Sequence, residues 1–132
     1  MIDFSNEIFN RIAKSLRSLY PNIRVVGEYV GTPTAFPCVT LDEIKNIPSH
    51  LDTAAENKYA EVTYRVQVFS NAENGKRAQA RQIYDTVDQE LMAMGFFAKT
   101  YTTRPEVYNS EIYSITATYE GVIDRNGTVY RI

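Results

Sequence analysis

Few residues in this chain are of types that do chemistry, and their spacing argues against most of it. His50 is the sole histidine, with Ser49 and Asp52 beside it. A serine, a histidine and an acid invite a nucleophilic-triad reading. Near neighbours in sequence seldom reach triad geometry, however, and the chain carries no nucleophile elbow or oxyanion-hole motif. The plainer reading of His50 and Asp52 is a solvated loop pair open to contact. Cys38 is the single cysteine and lies between Pro37 and Val39. There a thiol behaves as a small buried hydrophobe. One cysteine excludes an intrachain disulfide and a cysteine zinc cluster, and one histidine excludes a histidine-rich metal site. No carboxylate series has calcium-loop spacing. Neither Gly27-Glu-Tyr-Val-Gly31 nor Asn74-Gly75-Lys76 matches a dinucleotide fingerprint or a P-loop. No catalytic site, no metal and no cofactor are expected.

Charged and aromatic residues offer contact rather than catalysis. Lys76, Arg77 and Arg81 cluster at the start of one helical stretch, and Arg65 extends them into a modest basic patch. Its plain reading is a solvated face. Its sharper reading is contact with an acidic subunit or with passing DNA phosphates, because bases at a helix N-terminus oppose the dipole. Asp85, Asp88 and Glu90 follow two turns later. Such a charge-polarised helix can pair head to tail with a neighbouring copy. Tyr59, Tyr64, Tyr101, Tyr113 and Tyr119 fall on strand-like runs. Base stacking is one use for them. Sheet packing and subunit contact are the plainer uses.

Composition sets the bounds. The chain has 132 residues, net charge -2, 44% hydrophobic and 23% charged residues. That is one domain with a core of its own. Near-balanced charge gives no global field for nucleic acid or an anionic membrane. The opening Met-Ile-Asp-Phe-Ser-Asn-Glu has no basic start or apolar run, so no signal peptide is expected. No run approaches the ~18 apolar residues of a membrane span. Ten Tyr and no Trp is the unusual feature. The tyrosine ring suits half-buried strands and interfaces.

The elements that must position these residues follow from periodicity. Asp3 to Tyr20 places Phe4, Ile8, Ile12 and Leu16 on one helical stripe, widened by Phe9, Ala13, Leu19 and Tyr20, with Asp3 or Ser5 as cap and Pro21 as stop. Ile23–Val30 and Phe36–Ile44 read as strands joined by a short turn, hence an antiparallel pair. Residues 45–58 have no clear period and read as a long irregular loop. Tyr59–Ser70 alternates cleanly: Ala60, Val62, Tyr64, Val66 and Val68 share a face, and Glu61, Thr63, Arg65 and Gln67 the other. Lys76–Met94 is a second helix with stripe Ala80, Ile83, Tyr84, Val87, Leu91 and Met94, stopped by Gly95. Asp85, Asp88, Gln89 and Glu90 are expected to face outward. Phe96–Thr103 and Glu111–Asp124 read as strands around a loop at Arg104–Asn109. Asn126-Gly127 turns a hairpin into a last strand, Thr128–Ile132. Two one-sided helices and strands with one apolar face predict an α+β fold: a mostly antiparallel, mixed twisted sheet with two helices packed on one face, in a single domain over 1–132. The opposite face, rich in Thr, Ser, Gln, Arg and Glu, is expected to meet water or another subunit.

The order of these features carries a resemblance. A helix precedes Phe36-Pro-Cys-Val-Thr-Leu41, then come a polar loop and Tyr64-Arg-Val-Gln-Val-Phe-Ser70. A long helix ends at Met94-Gly-Phe96, and the strand Tyr113-Ser-Ile-Thr-Ala-Thr-Tyr-Glu-Gly121 follows. Over essentially the whole chain this resembles the small tail terminator, or tail completion, proteins of long-tailed phages and prophages, some of which are labelled minor capsid or head–tail joining proteins. The resemblance implies a structural virion protein made in the host cytoplasm and sited at the tail–head interface. It implies a homo-oligomeric, hexameric ring that caps the tail tube, ends its polymerisation and docks the filled head. Its partners would be the tail tube protein and a head-completion or connector protein, with DNA only passing through the lumen and no membrane involved. It implies no catalytic residues, and places the loop 45–58, with His50 and Asp52, at a subunit or tube contact.

Three other readings stay open on the residues alone. One is a head-completion adaptor on the connector. Another is a small single-stranded nucleic-acid-binding domain using the strand tyrosines. The last is an enzyme built on His50 or Cys38.

Overall fold

The apolar stripe of the first helix needs a cover, and a sheet supplies it. The computed structural model describes residues 2–29, 31, 33–48, 59–106 and 109–130. In chain order the elements are α1 (Ser5–Leu19), β1 (Arg24–Val26), β2 (Cys38–Pro48), β3 (Tyr59–Ser70), α2 (Lys76–Met94), β4 (Phe97–Glu106), β5 (Asn109–Asp124) and β6 (Val129–Tyr130). The strands form one six-stranded sheet in the order β1-β2-β3-β5-β4, and β6 pairs with β5 beyond the start of β4. All pairs are antiparallel except β1 with β2. The fold is the expected α+β arrangement in a single domain. β3 and α2 begin and end where their periodicity places them.

Both helices lie on one face of the sheet. Ile8, Ile12 and Leu16 of α1 and Ala80, Ile83, Val87 and Leu91 of α2 are buried against Val39, Leu41, Tyr64, Val66, Val68, Ile115, Ala117 and Tyr119. Gly95 ends α2 at φ 111°, and the Phe96 amide donates to the Leu91 carbonyl at 3.1 Å. This closure satisfies carbonyls that the helix itself leaves unpaired. It also drops Phe96 into the core, edge-on to Tyr64 with ring centroids 5.5 Å apart.

Several boundaries differ from expectation, each for a tertiary reason. Asp3 accepts from the Ser5 amide and hydroxyl, at 3.0 and 2.6 Å. Phe4 nevertheless holds the cap position, so neither Asp3 nor Ser5 caps α1. The first strand shrinks to three residues and runs parallel to β2, not antiparallel. A tight turn, with the Ile23 amide on the Tyr20 carbonyl, delivers the Arg24 amide to the Pro37 carbonyl at 3.0 Å. β1 therefore starts at the same end as β2. β2 runs on to Pro48 past a bulge between Glu43 and Lys45. The expected loop 45–58 thus loses 45–48 to the sheet, and 49–58 lie outside the described residues. The bulge breaks the period-two signal, which hid this extension from the sequence. The expected loop at Arg104–Asn109 is strand up to Glu106 and again from Asn109. Pro105 fits there because β4 is an edge strand.

The second sheet face is less open than its composition predicts. Thr40, Thr63, Gln67 and Ser114 are buried. The Thr40 hydroxyl donates to Gln67 Oε1 at 2.8 Å, which satisfies two polar groups inside. At one end of this face Cys38, Phe69 and Ile112 form a small apolar cluster flanked by Val26 and Phe36. Cys38 is fully buried there, as a small hydrophobe.

Candidate interaction surfaces

The polar side chains sort into internal ties and unspent charge. Tyr119 on β5 is fully buried, yet its phenol needs a partner. It donates to Asp88 Oδ1 on α2 at 2.5 Å, and its oxygen lies 2.5 Å from the Tyr84 hydroxyl. Burial, with Asp88 and Tyr84 alongside, pushes the Tyr119 phenol far above its ordinary range. It therefore acts as a neutral donor. Glu90 accepts from Arg11 Nε at 2.9 Å and joins α2 to α1. Asp88 thus turns inward to a buried phenol and does not face outward as expected, while Glu90 stays at the surface in a partly exposed tie to α1. Asp85 stays exposed and accepts from Gln89 Nε2 at 3.1 Å.

Arg65 does not join the basic patch. Along β3 it points away from the helix face that Tyr64 and Val66 occupy. It forms a two-point pair with Asp42 on β2, at 3.3 and 2.8 Å, and its guanidinium lies 4.5 Å from the Tyr29 ring centroid. Such a planar fork matches a carboxylate and stacks on a ring at once. Lys76, Arg77 and Arg81 remain together on the first turns of α2, with Arg77 and Arg81 exposed. Among the described residues their side chains make no hydrogen bond or ion pair, and the first turn of α2 holds no acid to offset them. His50 and Asp52 lie outside the described residues.

One feature escaped the sequence reading. A groove of about 560 Å³ opens beside the start of α1, lined by Ser5, Asn6, Phe9, Gly27, Glu28, Tyr29, Leu41, Asp42, Glu43 and Tyr64. Its floor is apolar, from Phe9, Leu41 and the Tyr64 ring. Its polar rim is acidic. The Tyr64 hydroxyl donates to Glu43 Oε1 at 3.1 Å, and burial raises the Glu43 carboxyl above its usual range. Burial first, then the Glu43 charge, pushes the Tyr64 phenol up as well. Gly27-Glu28-Tyr29 read as strand in sequence. Only its departure from the β2 edge after Val26 makes the groove.

No group of three or more His, Cys, Asp or Glu among the described residues is placed to hold a metal ion. No described helix is long and apolar enough to cross a membrane. The class that emerges is a small two-layer α+β protein whose buried polar groups serve as internal straps and whose spare charge lies on its surface. The family described as Tail completion protein gp17 matches residues 7–128, and the chain belongs to it. It is a phage structural protein of the tail completion and head–tail joining class, and so a virion component. Among solved structures it is similar to the bacteriophage SPP1 gp17 protein, at 18% identity and a TM-score of 0.39, over 86% of this chain and 89% of that one. No curated protein matches the chain.

Proposed function

We propose that this protein closes the phage tail. Copies assemble into a ring, sixfold like the tube beneath it, that caps the tail tube, stops its polymerisation and presents the surface on which the filled head docks. DNA passes through the lumen without sequence reading. The partners are further copies of the chain, the tail tube protein and a connector-side protein. The observation that carries this reading is membership of the tail completion family across residues 7–128.

The geometry supports it in two ways. A ring needs two different, complementary surfaces on each subunit, because its contacts are heterologous. Among the described residues, β1 and β4 are the two edges of the sheet, on opposite sides, and the acidic and basic surfaces are separate. The bulge at Ala98/Thr100 also blunts the β4 edge against random strand pairing.

Native mass at several concentrations, with negative-stain imaging, tests the proposal, with and without the tail tube protein. Sixfold rings at tube ends are the expected result. A chain that stays monomeric beside assembled tubes overturns it, and a twelvefold species points instead to a connector adaptor.

A further inference from the structure

Two surfaces of this chain carry opposite charge and match each other. The first is the groove beside α1. Phe9, Leu41 and Tyr64 floor it, and Glu28, Asp42 and Glu43 rim it. Asp3 and Glu7 lie within electrostatic reach of the Tyr64 phenol. Asp42 is bonded to Arg65 and Glu43 to the Tyr64 hydroxyl, so among the described residues Glu28 is the rim acid without a bonded partner. The second surface is Lys76, Arg77 and Arg81 on the first turns of α2. These bases oppose their own helix dipole and have no acidic partner among the described residues.

One chain cannot bring the two together. The start of α1 lies at the Asn46 end of β2, where Asn46 Nδ2 donates to the Ile2 carbonyl at 2.8 Å. The start of α2 lies at the Ser70 end of β3, where the Ser70 hydroxyl donates to Gln79 Oε1. Tyr64 on the groove floor and Ser70 are six residues apart along β3, about 20 Å. Resting on the ring reading, we propose that the first turns of α2 in one copy seat Lys76, Arg77 and Arg81 on the acidic groove of the next copy. Each subunit then uses its basic end once and its groove once, which is the arithmetic of a closed ring.

The groove chemistry suits this occupant. Long basic side chains lay their methylenes on aromatic rings and keep their charge at an acidic rim. Tyr29 at the lip already takes one guanidinium, Arg65, and remains 57% exposed, so a second can stack on it.

Charge reversal tests the contact on the full chain, with the tail tube protein present in every arm. One variant carries Lys76→Glu, Arg77→Glu and Arg81→Glu. These changes place acids at a helix start, which favours the helix, so loss of assembly is not loss of folding. The other carries Asn6→Lys and Glu28→Lys, both at exposed positions lining the groove. Each variant alone is expected to raise the concentration needed for half-assembly about tenfold or more. An equimolar mixture is expected to recover wild-type assembly, with the two variants alternating around an even-numbered ring. That recovery also shows both variants to be folded. Single variants that assemble like the wild type, or a mixture that does not recover, overturn this contact and leave the ring standing. In that case the bases of α2 are free for DNA phosphates or for the tube. A wild-type chain that never assembles overturns the ring reading and this contact with it.

Discussion

The Tyr119 phenol donates to Asp88 across 2.5 Å, tying the second half of β5 to the second half of α2. Tyr84 extends the tie, and its ring lies 4.9 Å from that of Tyr101 on the edge strand. A buried hydroxyl without a partner is costly, so this chain of groups fixes how α2 sits on the sheet. Asp88→Ala leaves the Tyr119 hydroxyl with Tyr84 alone and is expected to lower unfolding stability by about 1–3 kcal/mol. Tyr119→Phe combined with Asp88→Ala is expected to cost less than the sum of the two single changes, because each removes the same bond. Urea unfolding of the four proteins measures the coupling.

Alkali should loosen the fold through its buried tyrosines. Tyr64, Tyr84 and Tyr119 all have phenols raised above the ordinary value, chiefly by burial. Their unfolded counterparts ionise near pH 10. Above that pH the unfolded chain sheds protons that the folded chain keeps, so stability falls as pH rises. Below it the three contribute no slope. Glu43, also raised by burial, has the same sign at lower pH: stability grows as acidification protonates it. Denaturant midpoints are expected to hold from pH 8 to about 10 and to drop steeply above it, and Tyr119→Phe is expected to flatten that drop. An unchanged slope in that variant would rule Tyr119 out as a source.

A glycine joint holds β5, β6 and the end of α2 together. A methyl at Gly121 would lie 2.7 Å from Val129 Cγ1 and 2.8 Å from Phe96 Cδ1. A methyl at Gly95 would lie 2.8 Å from the Val129 carbonyl oxygen, at a φ of 111° that L-residues rarely adopt. Gly121→Ala is expected to cost about 1–3 kcal/mol by overpacking, and Gly95→Ala more. Adding Val129→Ala should recover part of the Gly121→Ala loss by removing Cγ1. It should recover none of the Gly95→Ala loss, because that obstacle is backbone. Thermal melts of the four variants decide this.

Arg65→Lys tests whether fork geometry matters at the Asp42 pair. The native guanidinium makes two bonds to Asp42 and stacks on Tyr29. An ammonium keeps the charge and loses the fork. About 1 kcal/mol of stability should go, with α2 and its basic end unaffected. Arg11→Ala should cost less, about 0–1 kcal/mol, because Arg11 is half exposed in its pair with Glu90. Its effect should fade in high salt. Equal losses at the two sites would refute the distinction.

What could be read from the residues was whatever repeats with a local period. The alternation in Tyr59–Ser70 and the stripe in Lys76–Met94 set two elements to the residue. Gly95 as a helix stop and Gly127 in the turn rest on backbone freedom at single positions, although the two-residue Asn126-Gly127 turn opens to three residues, closed by the Asp124 amide on the Thr128 carbonyl. The bases Lys76, Arg77 and Arg81 were legible for the same reason, as a cluster on one helix start. Tertiary structure decided the rest. Arg65 left that cluster because period-two alternation sends it to the other face of the sheet. Asp88 read as surface charge because its partner Tyr119 lies 31 residues away, and the tie from Glu90 to Arg11, 79 residues away, was hidden for the same reason. β1 runs parallel because a turn at Tyr20–Ile23 starts it beside Pro37. The groove beside α1 gathers residues from α1, β2, β3 and the segment after β1. Local periodicity is set by backbone geometry and is written into neighbouring residues. Pairing between distant residues is settled only when the sheet closes and each buried polar group must find a partner.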